Sequence, residues 1–339
     1  MKVVLVLAGL SLLALVHELG HAAVARAFGM RITRFSFGLG PPLMTRWWGK
    51  VAVHLGPIPF GGYVRVAELT LEHQAAGRFR CSAVAKRLAV VLAGPAANYL
   101  VAAIIAAIIA TSWGLETGRI RGLEVTAVGE QVARSGLRVG DVLVAVGDRP
   151  VKQVADLSPA LAAATDGKAR LTVRRDQGEL QLNARPIQSA AGRWGLGARY
   201  VAQPELRRVG AVHAIAGGLV YPVIFSVGLL DNATQLLVPG SGVQVVSPVG
   251  LADRVAHSGA WSARRILSLA VLLSVVVGLF NLLPIPGLDG GRVCLESLEG
   301  VLRRRVDPRY TVGIQLAGAL LLLVIWLLVS LRDLGALFH

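Results

Sequence analysis

The chain has 339 residues, 54% of them hydrophobic and only 16% charged, with a mean hydropathy of +0.60. Soluble globular chains carry roughly 25% charge, so this balance points away from a purely soluble protein, and with two cysteines it excludes disorder and a disulfide scaffold. The formal charge of +15, from 35 Lys+Arg against 20 Asp+Glu, would point to nucleic acid in a soluble chain. In a membrane protein it reports basic cytoplasmic loops instead, and no nucleic-acid partner is expected.

Crossing a bilayer takes about 20 apolar helical residues. The first such segment runs from about Val3 to Phe28, broken only by His17, Glu18, His21 and Arg26. Lys2 and the apolar run after it also resemble a secretory signal peptide, but cleavage there would sever the His-Glu cluster. The second segment, about Leu88 to Trp113, carries no charge; the third, about Ile266 to Leu283, leads into a proline-rich turn; the fourth is Val312 to Leu331. Val209 to Leu230 is apolar enough to pass for a fifth. One more crossing would reverse the third long segment and part its polar end from that of the first, so it is read as a buried or interfacial helix region.

Arg26 to Arg87 is strongly basic against Glu68 and Glu72, and Arg303, Arg304, Arg305 and Arg309 follow the third segment. The positive-inside bias puts both loops in the cytoplasm, with Cys81 and Cys294 as free thiols there. Both termini and residues 114–265 then lie outside.

The first segment contains His17-Glu18-Leu19-Gly20-His21. On a helix, residues four apart share a face, so both imidazoles can bind one metal, while Glu18 stands beside it to take a proton from bound water. Three ionisable groups in an apolar segment are costly unless they face a polar site. Catalytic zinc usually takes three protein ligands. His54, His73, His213, His257 and His339 lack a partner motif. The better candidate is Asp289, in Asn281-Leu282-Leu283-Pro284-Ile285-Pro286-Gly287-Leu288-Asp289-Gly290-Gly291. There, prolines and glycines halt a helix at membrane depth, which is tolerated only around a protein-lined cavity. The alternative for Asp289 is a helix N-cap.

These two motifs, at opposite ends of the chain, resemble those of the site-2 protease family of intramembrane zinc metalloproteases, in its bacterial regulated-proteolysis branch. The resemblance implies His17, His21 and Asp289 as Zn2+ ligands, Glu18 as catalytic base, and Asn281 as a group that positions substrate. Phe35 to Pro42 is similar to the segment following the family's first span. Residues 51–66 resemble its membrane-reentrant β-hairpin, with Gly61, Gly62 and Tyr63 on an edge strand that an extended substrate could join. Ala93-Gly94-Pro95-Ala96-Ala97-Asn98 is also similar to a family motif; its small residues permit close helix packing, with Asn98 alternatively an interhelical donor.

From about Gly122 to Pro186 the composition is that of a soluble α/β module. Strands are expected at Glu124 to Val128, within Gly136 to Asp148, at Ala169 to Arg174 and at Leu180 to Ala184, with a helix at Leu157 to Thr165. This stretch resembles a single bacterial PDZ domain, either a peptide-binding filter or a plain spacer. Gln244 to Ala252 resembles a further family segment.

The expected fold is a polytopic α-helical membrane protein with about four transmembrane helices, a membrane-reentrant β-hairpin and an inserted α/β PDZ-like domain. The expected domains are a membrane core at 1–113, the PDZ-like domain at 114–188, a linker with interfacial helices at 189–264, and a second part of the core at 265–339. The resemblance implies single-span membrane proteins as substrates, such as anti-sigma factors or signal-peptide remnants. The lipid bilayer and a peptide tail at the PDZ-like unit are further partners. The place is the bacterial inner membrane, with the active site toward the cytoplasm. The rival readings are a membrane protease using a glutamate ligand from a later helix, a non-catalytic PDZ adaptor with a structural metal, and, last, a metal transporter.

Overall fold

The computed structural model describes residues 2–69, 81–163, 167–175, 178–188, 192, 194–234, 262–304 and 306–337. The segment Gln244 to Ala252 lies outside them. The chain divides into two compact units: Met1–Ile108, Ile215–Ala252 and Leu267–His339 form one, and Ile109–Ala214 with Asp253–Ile266 the other.

The first unit is built on helices α1 (Lys2–Ala27), α2 (Cys81–Trp113), α5 (Ala211–Thr234), α6 (Ala263–Leu282), α7 (Asp289–Leu302) and α8 (Pro308–Leu337), α3 and α4 belonging to the second. Among the described residues, five of these, all but α7, are long and apolar enough to cross a membrane. In lipid, helices have no hydrophobic drive to associate, so small residues that let backbones approach decide where they touch. Gly20 of α1 lies against the Ala93 carbonyl and the Ala97 side chain, Gly218 of α5 against the Ala107 backbone, and Gly278 of α6 against the Tyr99 ring.

Contacts further along fix directions. The Tyr99 hydroxyl meets Ser226 Oγ at 2.6 Å, and Ser274 Oγ donates to the Asn98 carbonyl at 2.8 Å. With 218 beside 107 and 226 beside 99, α5 runs antiparallel to α2. With 274 at 98 and 278 beside 95 and 99, so does α6. The segment expected to be buried or interfacial is thus one continuous helix with widely exposed apolar side chains (Val212 78%, Ile224 65%). Because α5 and α6 run the same way, they are not successive crossings of a serpentine.

Between α1 and α2 lies a four-stranded sheet of β1 (Ile32–Leu39), β2 (Met44–Trp48), β3 (Val51–Leu55) and β4 (Ile58–Val66). Residues 51–66 do not form the expected hairpin. The order is β2-β3-β1-β4, so β1 stands between β3, which runs parallel to it, and β4, which runs antiparallel. The Gly56-Pro57 turn carries the chain across β1, with Gly56 N–H bonded to the Phe37 carbonyl at 2.8 Å. Beyond α6, the backbone makes tight turns through Leu283 to Leu288 before α7 begins. Gly290 and Gly291 lie directly on the carbonyls of Leu282, Leu283 and Ile285, where a β-carbon has no room. Glycine is required there by packing. Arg87 of α2 and Glu296 of α7 form a buried ion pair at 2.6 Å, with Glu299 alongside.

The second unit holds a mixed α/β fold. Strands β5 (Leu115–Val128), β6 (Val142–Val146), β8 (Ala169–Arg175), β9 (Gly178–Ala184) and β12 (Ala198–Arg207) form a sheet in the order β12-β5-β6-β8-β9, and β7 (Arg149–Pro150) pairs with β6. Short strands β10 (Ile187–Gln188) and β11 (Trp194–Gly195) pair separately. Helices α3 (Glu130–Ala133) and α4 (Val154–Ala162) cover the core, in which Leu123, Leu143, Leu171, Val125 and Val173 are fully buried. β5 begins earlier than expected because β12, from the stretch read as linker, pairs along its whole length. α4 also starts earlier, at a capping box in which Gln153 and Asp156 satisfy each other's backbone N–H groups.

Candidate metal centre

Ligand atoms around a tetrahedral zinc at about 2.0–2.1 Å stand roughly 3.2–3.5 Å from one another. His17 and His21, one turn apart on α1, place their Nε2 atoms 3.2 Å apart. Asp289 Oδ2 lies 2.8 Å from His17 Nε2 and 3.3 Å from His21 Nε2. Three Lewis bases therefore converge on one point from residues 272 positions apart in sequence. Among the described residues this is the one cluster of histidine, cysteine and acidic groups able to hold a metal. His54 is buried in β3 and His213 is exposed on α5, both outside the cluster.

The N-cap alternative for Asp289 does not match the geometry. Leu288 occupies the cap position without a side-chain hydrogen bond, and Asp289 is the first helical residue, its carboxylate turned to the histidines. There the helix N-terminus also favours its negative charge.

α2 shapes the far side of the point. Val90 O lies 2.7 Å from His21 Nδ1, so that nitrogen carries the proton and donates, leaving the Nε2 lone pair for a cation. A β-carbon on Gly94, one turn along, would overlap His21 Nε2 and lie 2.7 Å from His17 Nε2. The glycine leaves open the volume that a cation bound to both imidazoles would fill. The donor set and this space fit zinc.

Glu18 sits beside the cluster. Its Oε2 accepts a hydrogen bond from Val64 N–H of β4 at 2.8 Å. The groups meet in a cavity of about 330 Å³ lined by His17, Glu18, His21, Gly61, Gly62, Tyr63, Asn281 and Asp289. Every site residue named from the sequence thus lies on one cavity wall. Asn281 Nδ2 donates to the Val277 carbonyl at 2.9 Å, and the Tyr63 hydroxyl accepts from Arg34 at 3.4 Å. Gly62 is pressed on the Ser36 carbonyl, which holds β4 against β1.

Sequence reasoning missed Arg292, which lines the same cavity and donates to the Leu69 carbonyl just after β4. Its spacing from Asp289, one turn on the same helix, was the available signal. It also missed the α2 face of Val90 and Gly94, although their spacing of four was visible.

A pair of helical histidines, an aspartate from a broken helix and an adjacent glutamate form a cluster able to hold a metal, set among apolar helices. The particular family follows from comparison. Residues 5–325 match the model of peptidase family M50, and the chain belongs to that family. It is a zinc metalloprotease and an integral membrane protein. It is 27% identical to a chain of Clostridium perfringens named as a zinc metalloprotease, over 98% of each, and 29% identical to one so named in Mesorhizobium japonicum, over 93% of each. It is 28% identical to the metalloprotease MmpA of Caulobacter vibrioides, over 96% of this chain and 93% of that one. Among solved structures it is similar to the PDZ domain of an SdrC-like protein of Listeria monocytogenes, at 17% identity and a TM-score of 0.22, over 24% of this chain and 88% of that one.

Proposed function

We propose that this zinc metalloprotease cuts within the membrane, with His17, His21 and Asp289 as metal ligands and Glu18 as general base. The observation that carries the reading is the convergence of the three ligand atoms within 3.3 Å of one another, with Glu18 held against β4. Zinc, when bound, supplies Lewis acidity toward water and the scissile carbonyl. The Glu18 carboxylate takes the proton from the water whose oxygen adds to the carbonyl carbon, then passes it to the amide nitrogen as the C–N bond breaks. The Val64 N–H keeps Glu18 turned toward the cavity.

A transmembrane helix shields its carbonyls by internal hydrogen bonds, so the substrate must first unwind. β4 is the last strand of its sheet. Val64 turns its N–H outward to Glu18, and by the two-residue repeat Gly62 turns its backbone groups the same way. An extended substrate pairing there through Gly61, Gly62 and Tyr63 would lie across the metal, with Asn281 against its carbonyl. The substrates are single-span membrane proteins such as anti-sigma factors or signal-peptide remnants. The chain sits in the bacterial inner membrane with the cavity toward the cytoplasm, consistent with the basic loops. It crosses four times, and α5 enters beside α2. Residues 114–188 are a PDZ-like domain outside the membrane, where a peptide tail would bind.

The test compares wild type with Glu18→Gln in detergent, for zinc content and for cleavage of a tagged single-span substrate. Equal zinc with cleavage lowered by about 10²–10⁴-fold is the expected result. Undiminished cleavage by the variant would remove Glu18 from the mechanism.

A further inference from the structure

We propose that Asn98 is a positioning residue for the metal centre, its side-chain oxygen accepting the His17 Nδ1 proton and so fixing which His17 nitrogen binds zinc. The inference rests on His17 being a ligand. Asn98 is fully buried in α2, and its amide group lies 3.2 Å from His17 Nδ1. His17 Nε2 is the atom facing His21 Nε2 and Asp289 Oδ2, so its lone pair is needed there. A neutral imidazole has a single N–H, which then belongs to Nδ1 and must be donated. With the amide Nδ2 toward that nitrogen, donor faces donor and Oδ1 is left without a partner among the described residues. Oxygen and nitrogen of an amide are assigned from the surrounding network, and here the network demands the reverse orientation. With Oδ1 toward His17, the acceptor meets the donor.

This role differs from the packing or donor roles that the sequence allowed. It completes a pattern along one face of α2. Val90 O accepts from His21, Gly94 leaves room for the cation, and Asn98 accepts from His17, each four residues from the last. One helix thus orients both imidazoles without touching the metal. Its own position is held from behind, where Ser274 of α6 donates to the Asn98 backbone carbonyl. Outer partners of this kind typically change metal affinity by about 10–100-fold when removed.

The experiment uses the full chain in detergent and measures zinc affinity by competition with a chelator. Wild type, Asn98→Leu, Asn98→Asp and His17→Ala are compared. Leucine removes the acceptor at similar size, and aspartate keeps an acceptor while removing the donor. Loss of about 10–100-fold for N98L, with N98D within a few-fold of wild type, is the expected pattern. An N98D as weak as N98L would mean that the amide N–H or the bulk of the residue matters, and would overturn the proposal. So would an N98L that binds zinc like wild type while H17A does not. An H17A with unchanged affinity would instead bring down the ligand assignment itself. If leucine prevents folding, ¹⁵N-histidine spectra of the zinc-bound wild type decide alone. A protonated Nδ1 on His17 supports the inference, and a protonated Nε2 overturns it.

Discussion

The two units differ in how much of their large apolar surface they bury and in how many small and polar residues share the interior. In the second, the interior is large and apolar, with Leu123, Leu143 and Leu171 at zero exposure. In the first, many large apolar side chains face outward, as with Leu316 at 67%, and small or polar residues such as Ala102, Asn98, Ser274 and the Arg87–Glu296 pair share the interior with valines and leucines such as Val90 and Leu273. Water drives leucine inward in one unit, and lipid removes that drive in the other, leaving close packing and polar contacts to hold the helices. The proposed metal site lies where small residues such as Gly20 and Gly94 let backbones approach closely, leaving room for a cation and its partners.

The largest expected effect tests that last statement. Gly94→Val places carbon in the volume left between the two imidazoles. Zinc content should fall from about one equivalent to near zero and proteolysis with it, while circular dichroism reports unchanged helix content. A variant that still binds zinc would show that the cation sits elsewhere.

The same substitution in each unit sharpens the contrast. Leu171→Ala should cost the second unit about 2–5 kcal/mol through lost burial and a cavity. Leu316→Ala on α8 should change stability by less than about 0.5 kcal/mol, since its surroundings are already apolar in both states. Thermal denaturation in one detergent measures both. Equal costs would mean that α8 is covered by protein.

Asp141 offers a test of intermediate size. It is buried in the second unit, takes a two-pronged hydrogen bond from Arg175 at 2.7 and 2.8 Å, and accepts from the Arg138 N–H. Burial pushes the carboxyl up, but the Arg175 guanidinium and the Arg138 N–H outweigh it and hold it below the usual carboxylate range. A lowered folded value means that this stabilisation is complete above the unfolded pKa, about 3.9, and is lost as pH falls through the folded value. Asp141→Asn should therefore cost about 1.5–3 kcal/mol near neutral pH and progressively less below about pH 4, read by hydrogen exchange at Val125 and Arg138. A cost that does not change with pH would assign the effect to shape alone.

Legibility divided along the same line. The residues proposed as metal ligands stood out because two histidines four apart and an aspartate after a broken helix are costly in an apolar segment and need a reason. Strands β5, β6, β8 and β9 were readable at least in part from alternation, whereas the two-residue β7, β10 and β11 are too short to announce themselves and β12 pairs with β5 through a long-range event that no local pattern shows. The strand order β2-β3-β1-β4 was hidden for the same reason. Residues 51–66 read as a local hairpin, whereas β1 separates the two strands. Arg292 was hidden because an arginine after two glycines looks like any loop cation until α7 turns it toward the cavity.

The smallest predicted effect concerns how α5 is held. Ser226 Oγ donates to the Pro222 carbonyl at 2.7 Å, one turn back, so its proton is committed. The Tyr99 hydroxyl must then donate to Ser226 across the 2.6 Å contact. Tyr99→Phe deletes that bond but keeps the ring on which Gly278 of α6 packs. Interhelical hydrogen bonds in membranes are worth about 0.6 kcal/mol on average, since the separated helices find other partners. A loss of that size, with zinc content unchanged, is expected when α5 is held chiefly by the approach of Gly218 to Ala107. Gly218→Val should then loosen α5 more than Tyr99→Phe does, as read by cysteine crosslinking between α2 and α5. The reverse ranking would make polar bonding the main fastening, and the contrast between the two units would then lie in what they bury and not in what holds them.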